Sequence, residues 1–193
     1  MKFLSKKTNS NISSQGLTYQ DNRSANNKKL LNELISEQKN FCAYTEKYLK
    51  PLDSPEVEHF NSKIKYQDDY YNYYAVLRAA NLYKQDEKYP NASFFKNLFF
   101  QSEDELKKRI VYSEGIYQEV NPQDIEAKEF IDFLGLNDNR LYTERARHVH
   151  RIKHLVSNYS KEEILDFLKR YKEELSFITA LEVELNIDLT QLI

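Results

Sequence analysis

Glu58 and His59 stand side by side in the stretch Glu56-Val57-Glu58-His59-Phe60, and asparagines follow at positions 72 and 81. A carboxylate and an amide oxygen are hard donors of the kind Mg²⁺ or Mn²⁺ prefers, and imidazole is the side chain that titrates near neutral pH. Together these are the parts of a one-metal phosphodiesterase: Glu58 and Asn81 as metal ligands, His59 as the base that deprotonates water, and Asn72 as the amide that fixes the loop and orients His59. Each also has a plainer reading. His59 can be an ordinary surface or core histidine, Glu58 a strand-end charge, Asn81 a helix amide bonded to backbone, and Asn72 a turn residue.

The elements around these residues must then position them. Glu56 to Phe60 alternates charged and apolar groups, which is the period of a half-buried strand anchored by Val57 and Phe60. Residues 61–71 are polar and read as a surface loop. Tyr73 to Leu77 is β-prone and Arg78 to Glu87 helix-prone, so the local order is strand, loop, strand, helix.

Upstream, residues 1–27 read as a flexible, loosely extended arm rich in Ser, Asn, Lys and Gln, and apolar spacing predicts a helix over about 26–39 through Leu30, Leu31, Leu34 and Ile35. Pro51 and Pro55 break any helix before the strand. Downstream, Ser102 to Glu105 has capping-box spacing for a helix to about Arg109, and strands around 110–112 and 115–117 are an equally good reading. Asn121-Pro122 reads as a helix start and Gly135 as its stop. A basic amphipathic helix spans about 137–158, and Ser160 with Glu163 opens another. The stretch 177–192 is apolar enough to pack as a last helix or to await a partner. The units are thus the arm at 1–27, a core with its preceding helix at 28–90, and a helical part of the same domain at 91–193.

Composition narrows the classes. The chain of 193 residues has an apolar fraction of 40%, enough for one core, while three glycines and four prolines argue against turn-rich folds and for helix. Charges of 28 Lys+Arg against 30 Asp+Glu supply no global attraction for nucleic acid, so a local basic surface must do so. One cysteine excludes an intrachain disulfide framework. No apolar run suits a membrane span, and Met1 to Leu4 is too short for a secretory signal, so the expected location is cytoplasmic.

With its motifs in view, the chain resembles the HNH endonucleases of the ββα-metal fold. It looks most like a subgroup of bacterial Septu-type antiphage nuclease subunits, often encoded beside an ATPase. The likeness rests on Cys42-Ala43-Tyr44-Thr45-Glu46, on Glu56 to Phe60, and on Asn72, Leu77, Ala80, Asn81 and Lys84 at the family's spacing. Gly115-Ile116 and Leu134-Gly135-Leu136-Asn137 with Leu141 and Arg145 extend it downstream. The resemblance implies a mainly α protein with a small ββα-metal (HNH) unit in a single α+β domain. It also implies a metal-dependent DNA endonuclease, RNA not being excluded, that serves antiviral defence with an ATPase partner. His59 and Asn72 become catalytic and Glu58 and Asn81 ligands to one Mg²⁺ or Mn²⁺. The alternative is a catalytically weak HNH-like subunit that binds nucleic acid or a partner.

The chain departs from the family where zinc-binding cysteines are usual. Thr45, Leu77 and Ala80 stand at three of the four positions, so no structural zinc is expected and Cys42 reads as a small buried residue. The tyrosines between Tyr66 and Tyr74 pack beneath the loop or stack on bases, packing being the better reading. Lys84, Arg145, Arg147 and Arg151, with Arg140 and Lys153, are candidates for tracking a phosphate backbone, or else form a solvated face.

Overall fold

The computed structural model describes residues 1–65, 69–84 and 103–193. The expectations at Tyr66, at 85–90 and at the Ser102 capping box lie outside the described residues. Among those described are eight α-helices and two antiparallel two-stranded sheets, in one α+β domain in which helix predominates.

The chain opens with α1 (Asn11–Ser14) and α2 (Ser24–Glu37), the latter burying Leu30 and Leu34. β1 (Pro55–His59) pairs with β2 (Tyr73–Leu77) in the register that sets Glu58 opposite Tyr74 and His59 opposite Tyr73. α3 (Arg78–Tyr83) follows β2 without a break. α4 (Glu103–Arg109) leads directly into β3 (Ile110–Ser113), which pairs with β4 (Ile116–Glu119), so both readings of this stretch hold in succession. The turn between them places Glu114 and Gly115 at φ of 51° and 86°, the two left-handed positions of a tight hairpin.

α5 (Ile125–Phe133) is capped by the Asp124 side chain, which accepts from Ala127 N at 3.0 Å, and not by Asn121. Arg109 grips the same carboxylate through two hydrogen bonds of 2.6 and 2.7 Å, a fork that the shorter-range signal of Asn-Pro does not reveal. α6 (Asn139–Leu155), α7 (Lys161–Arg170) and α8 (Ile178–Leu185) complete the helices. α7 carries the capping box in full, with Ser160 N donating to Glu163 Oε2 and Glu163 N donating to Ser160 Oγ.

Strand period two divides the β1–β2 hairpin between two apolar clusters. Tyr74 and Val76 face the main core, which also holds Phe60, Phe130, Phe133 and Ile152. Tyr73 and Ala75 face a smaller cluster with Leu30 and Leu34 of α2 and Ile12 and Leu17 of the N-terminal segment. That segment is therefore not the loose arm its composition suggests. Phe3 stacks on Phe41 at 4.6 Å, Tyr74 Oη donates to Leu4 O at 2.8 Å, and Ile12 is buried, because each isolated apolar residue finds a pocket in a different part of the fold. Residues 177–192 also pack rather than wait for a partner, with Phe177, Ile178, Leu181 and Leu189 buried. No helix among the described residues is long and apolar enough to cross a membrane.

Candidate functional site

The loop between β1 and β2 is closed by side-chain amides and carboxylates. Asn61 accepts from Lys63 N at 3.0 Å and Asp69 from Tyr71 N at 2.9 Å, so each caps a single turn of 3₁₀ helix. Asn72 then spans the loop. Its Oδ1 accepts from Asn61 N at 2.8 Å and its Nδ2 donates to Asn61 O at 3.1 Å, while Phe60 N donates to Asn72 O at 2.8 Å. A buried amide thus continues the strand pairing past its end and holds Phe60 against Phe133, the ring centroids 5.2 Å apart.

Glu56 and Glu58 project from one face of β1, and α3 and the residue that follows it supply a partner to each. Asn81 Nδ2 donates to Glu56 Oε1 at 3.0 Å. The Lys84 ammonium forms an ion pair with Glu58 Oε1 and donates to His59 O at 2.9 Å and, more weakly, to Phe60 O at 3.4 Å. Gly135 sets where α3 ends: its φ is +59°, and a Cβ there would lie 2.4 Å from Tyr83 O. No other residue lets the end of α5 approach the end of α3 so closely. Lys84 follows with extended backbone, φ −64° and ψ 133°, which turns its stem from the helix end toward β1.

His59 points the other way. Its imidazole sits edge-to-face against Tyr19 at 4.9 Å and Tyr73 at 5.5 Å, on the side of the smaller cluster. Tyr19 is held by its own N–H, which donates to Tyr73 Oη at 3.1 Å. Reading Glu58, His59 and Asn81 as one site requires His59 and Asn81 to face one cavity, and they do not. Pairing continues through His59, and adjacent residues of a paired strand face opposite sides of the sheet.

Glu56, Glu58 and Asn81 bring oxygens of the type Mg²⁺ or Mn²⁺ prefers to one side of the hairpin, where Lys84 occupies Glu58 and the Asn81 amide nitrogen is turned to Glu56. Among the described residues no group of three or more His, Cys, Asp or Glu is placed to hold a metal. At the positions where the resemblance would put zinc ligands, Cys42 is buried and its Sγ accepts from Leu77 N at 3.4 Å, while Ala80 lies in the same apolar cluster. One thiol, a threonine hydroxyl and two hydrocarbons do not make a zinc site.

Two of the basic candidates need correction. Lys84 is buried on Glu58 and is not available to a phosphate backbone. Arg145 is 2% exposed; it donates to Leu136 O at 3.0 Å and Gly115 O at 3.2 Å and lies over the Tyr112 and Tyr117 rings. It falls on the apolar side of α6 because it ties β4's turn to the end of α5. Arg147 is exposed and lines a cleft of about 400 Å³ with Arg151, Lys47 and Lys50. Arg151 pairs there with Glu174, Lys47 with Glu144 at 2.6 Å.

From the sequence Glu46 reads as a supporting carboxylate or a solvated one; it is fully buried. Burial pushes its carboxyl up, but the Met1 amine at 3.5 Å, the Thr179 N–H and hydroxyl and the Lys2 N–H together hold it below the usual range. Its left-handed backbone, φ 59°, was the kind of feature that spacing does not signal. Compared with family models, with curated proteins and with solved structures, the chain matches none.

Proposed function

We propose that the protein is an HNH-type endonuclease that hydrolyses phosphodiester bonds in DNA with Mg²⁺ or Mn²⁺, an antiphage effector that works with a partner such as an ATPase subunit. The reading is carried by the strand–loop–strand–helix unit in which Asn72 clamps the loop and α3 lays Asn81 along the Glu56–Glu58 face. Glu58 and Asn81 would hold the ion, which when bound supplies charge stabilisation at the scissile phosphate. Asn72 keeps the loop in shape. His59 is assigned the proton of the attacking water, which requires the end of β1 to unpair from Tyr73 so that the imidazole leaves Tyr19 and crosses to the Glu58 face.

A second reading has one specific observation in its favour. With His59 on the far face and Lys84 on Glu58, the unit can serve as a catalytically weak surface for nucleic acid or a partner.

Labelled DNA and RNA incubated with Mg²⁺ or Mn²⁺, wild type beside His59→Ala, separates the two. The nuclease reading expects cleavage that falls by roughly 10²–10⁴ in the variant, the range for losing a general base. Equal cleavage by both proteins overturns the role of His59. No cleavage by wild type, together with a DNA gel shift, supports the binding subunit.

A further inference from the structure

An ammonium has three donors, and among the described residues that of Lys84 donates to Glu58 Oε1, His59 O and Phe60 O. The Phe133 ring lies 5.6 Å from the same nitrogen, turning a negative π face toward it. The side chains of Lys84 and Glu58 are 1% and 9% exposed, so the pair is sealed inside the fold rather than laid on its surface. Taking two charges out of water is costly, and such a pair persists only where geometry and further hydrogen bonds compensate.

We propose that Lys84 is the resident cation of the Glu58 site, and that a divalent ion binds there only when the Lys84 ammonium leaves. This rests on the nuclease reading for its biological sense but not for its geometry. The Glu58 carboxylate that the proposed ion would share with Asn81 is the one the ammonium occupies, joined by two strand-end carbonyls, and a hard ion and an ammonium use such oxygens in the same way. They do not share the carboxylate, because an ammonium and a divalent ion held against one buried carboxylate repel each other at close range. Lys84 is the first residue beyond α3 and its stem leaves on extended backbone, so a change at the helix end is enough to withdraw the ammonium while β1 and β2 stay paired. Metal loading is thereby coupled to whatever moves the end of α3.

The test titrates Mn²⁺ into the full chain, following the loss of the free Mn²⁺ electron paramagnetic resonance signal and the shift in melting temperature. Wild type is expected to bind Mn²⁺ far more weakly than Lys84→Met, with a correspondingly smaller thermal shift, because the ammonium must leave first. Lys84→Met should bind Mn²⁺, and ion at about one hundred times its Kd should raise the folded-to-unfolded ratio about one-hundredfold. Adding Glu58→Gln to Lys84→Met should abolish the binding. Should Lys84→Met not fold alone, refolding with Mn²⁺ in place of Na⁺ is the readout, alongside Lys84→Gln, whose amide still donates to the carbonyls. Binding by wild type as tight as by the variants, or no response from either variant, overturns the proposal. The two readings fail separately. A wild type that cleaves DNA and binds Mn²⁺ as tightly as Lys84→Met keeps the nuclease and removes the resident cation, whereas a Lys84→Met chain that gains Mn²⁺ binding when neither it nor wild type cleaves does the reverse.

Discussion

Glu58 and His59 are consecutive residues whose side chains lie on opposite faces of the β1–β2 hairpin, the carboxylate on Lys84 and the imidazole between Tyr19 and Tyr73. Each half of the candidate site is thus covered by a different part of the chain. Lys84 comes from the end of α3, and Tyr19 from the segment before α2.

Removing the ring over His59 should expose it without dismantling the sheet. Tyr19→Ala is expected to cost about 1 kcal/mol, the scale of one aromatic pair, and to speed modification of His59 by diethyl pyrocarbonate. An unchanged modification rate, followed by mass spectrometry at His59, would show that Tyr19 does not cover the imidazole.

Arg145 and Arg147 are two residues apart on α6 and should behave oppositely. Arg145→Ala strips donors from Leu136 O and Gly115 O, each bond to a charged group being worth roughly 1.5–3 kcal/mol, so urea unfolding should show a loss of about 3 kcal/mol or more. Arg147→Ala should change stability by less than about 0.5 kcal/mol. If Arg147 meets phosphate, its loss lowers the salt slope of DNA binding by about 0.9. A mild Arg145→Ala effect would contradict its place in the core.

Gly135→Ala places a Cβ at positive φ and against Tyr83 O. Backbone strain alone is worth roughly 1–3 kcal/mol, and the contact adds to it. Because the clash falls at the end of α3, amide exchange should quicken at Tyr83 and Lys84 as well as at Gly135. Exchange confined to Gly135 would uncouple α5 from the site.

Stability should also report on His148. Burial lowers its pKa below the ordinary 6.5, the Glu174 carbonyl that accepts from Nε2 acts against this, and Arg151 acts with it. Above 6.5 both folded and unfolded chains hold it neutral and its contribution is complete. As pH falls below 6.5 the unfolded chain takes up the proton first, so stability drops until the lower folded value is passed. His148→Gln should flatten that part of the pH profile in urea melts, and an unaltered slope would assign it to other groups.

Chelator should leave the melting temperature of the purified protein unchanged, with elemental analysis finding no stoichiometric zinc. Leu77 is only half-buried, so Leu77→Ser should cost about 2 kcal/mol, near the lower end for a truncated core leucine. Chelator-induced unfolding would show that the Cys42 to Ala80 positions had been misread.

Where interactions are local, the sequence was enough. Alternation in Glu56 to Phe60 marked β1, the helix-prone run after Leu77 marked α3, Ser160 and Glu163 marked the start of α7, and Gly135 marked the end of α5. These follow from backbone geometry within a few residues, which residue type and spacing encode directly. What covers each face is set by distant segments, and only the tertiary structure decided it. The segment before α2, read as a loose arm, brings Tyr19 to His59. Lys84 and Arg145, read as surface charges, are drawn inward by the carboxylate and carbonyls that the fold leaves to be satisfied. A buried acceptor without a donor is costly, and its donor can come from any point in the chain that packing brings near, so no spacing in the sequence announces it.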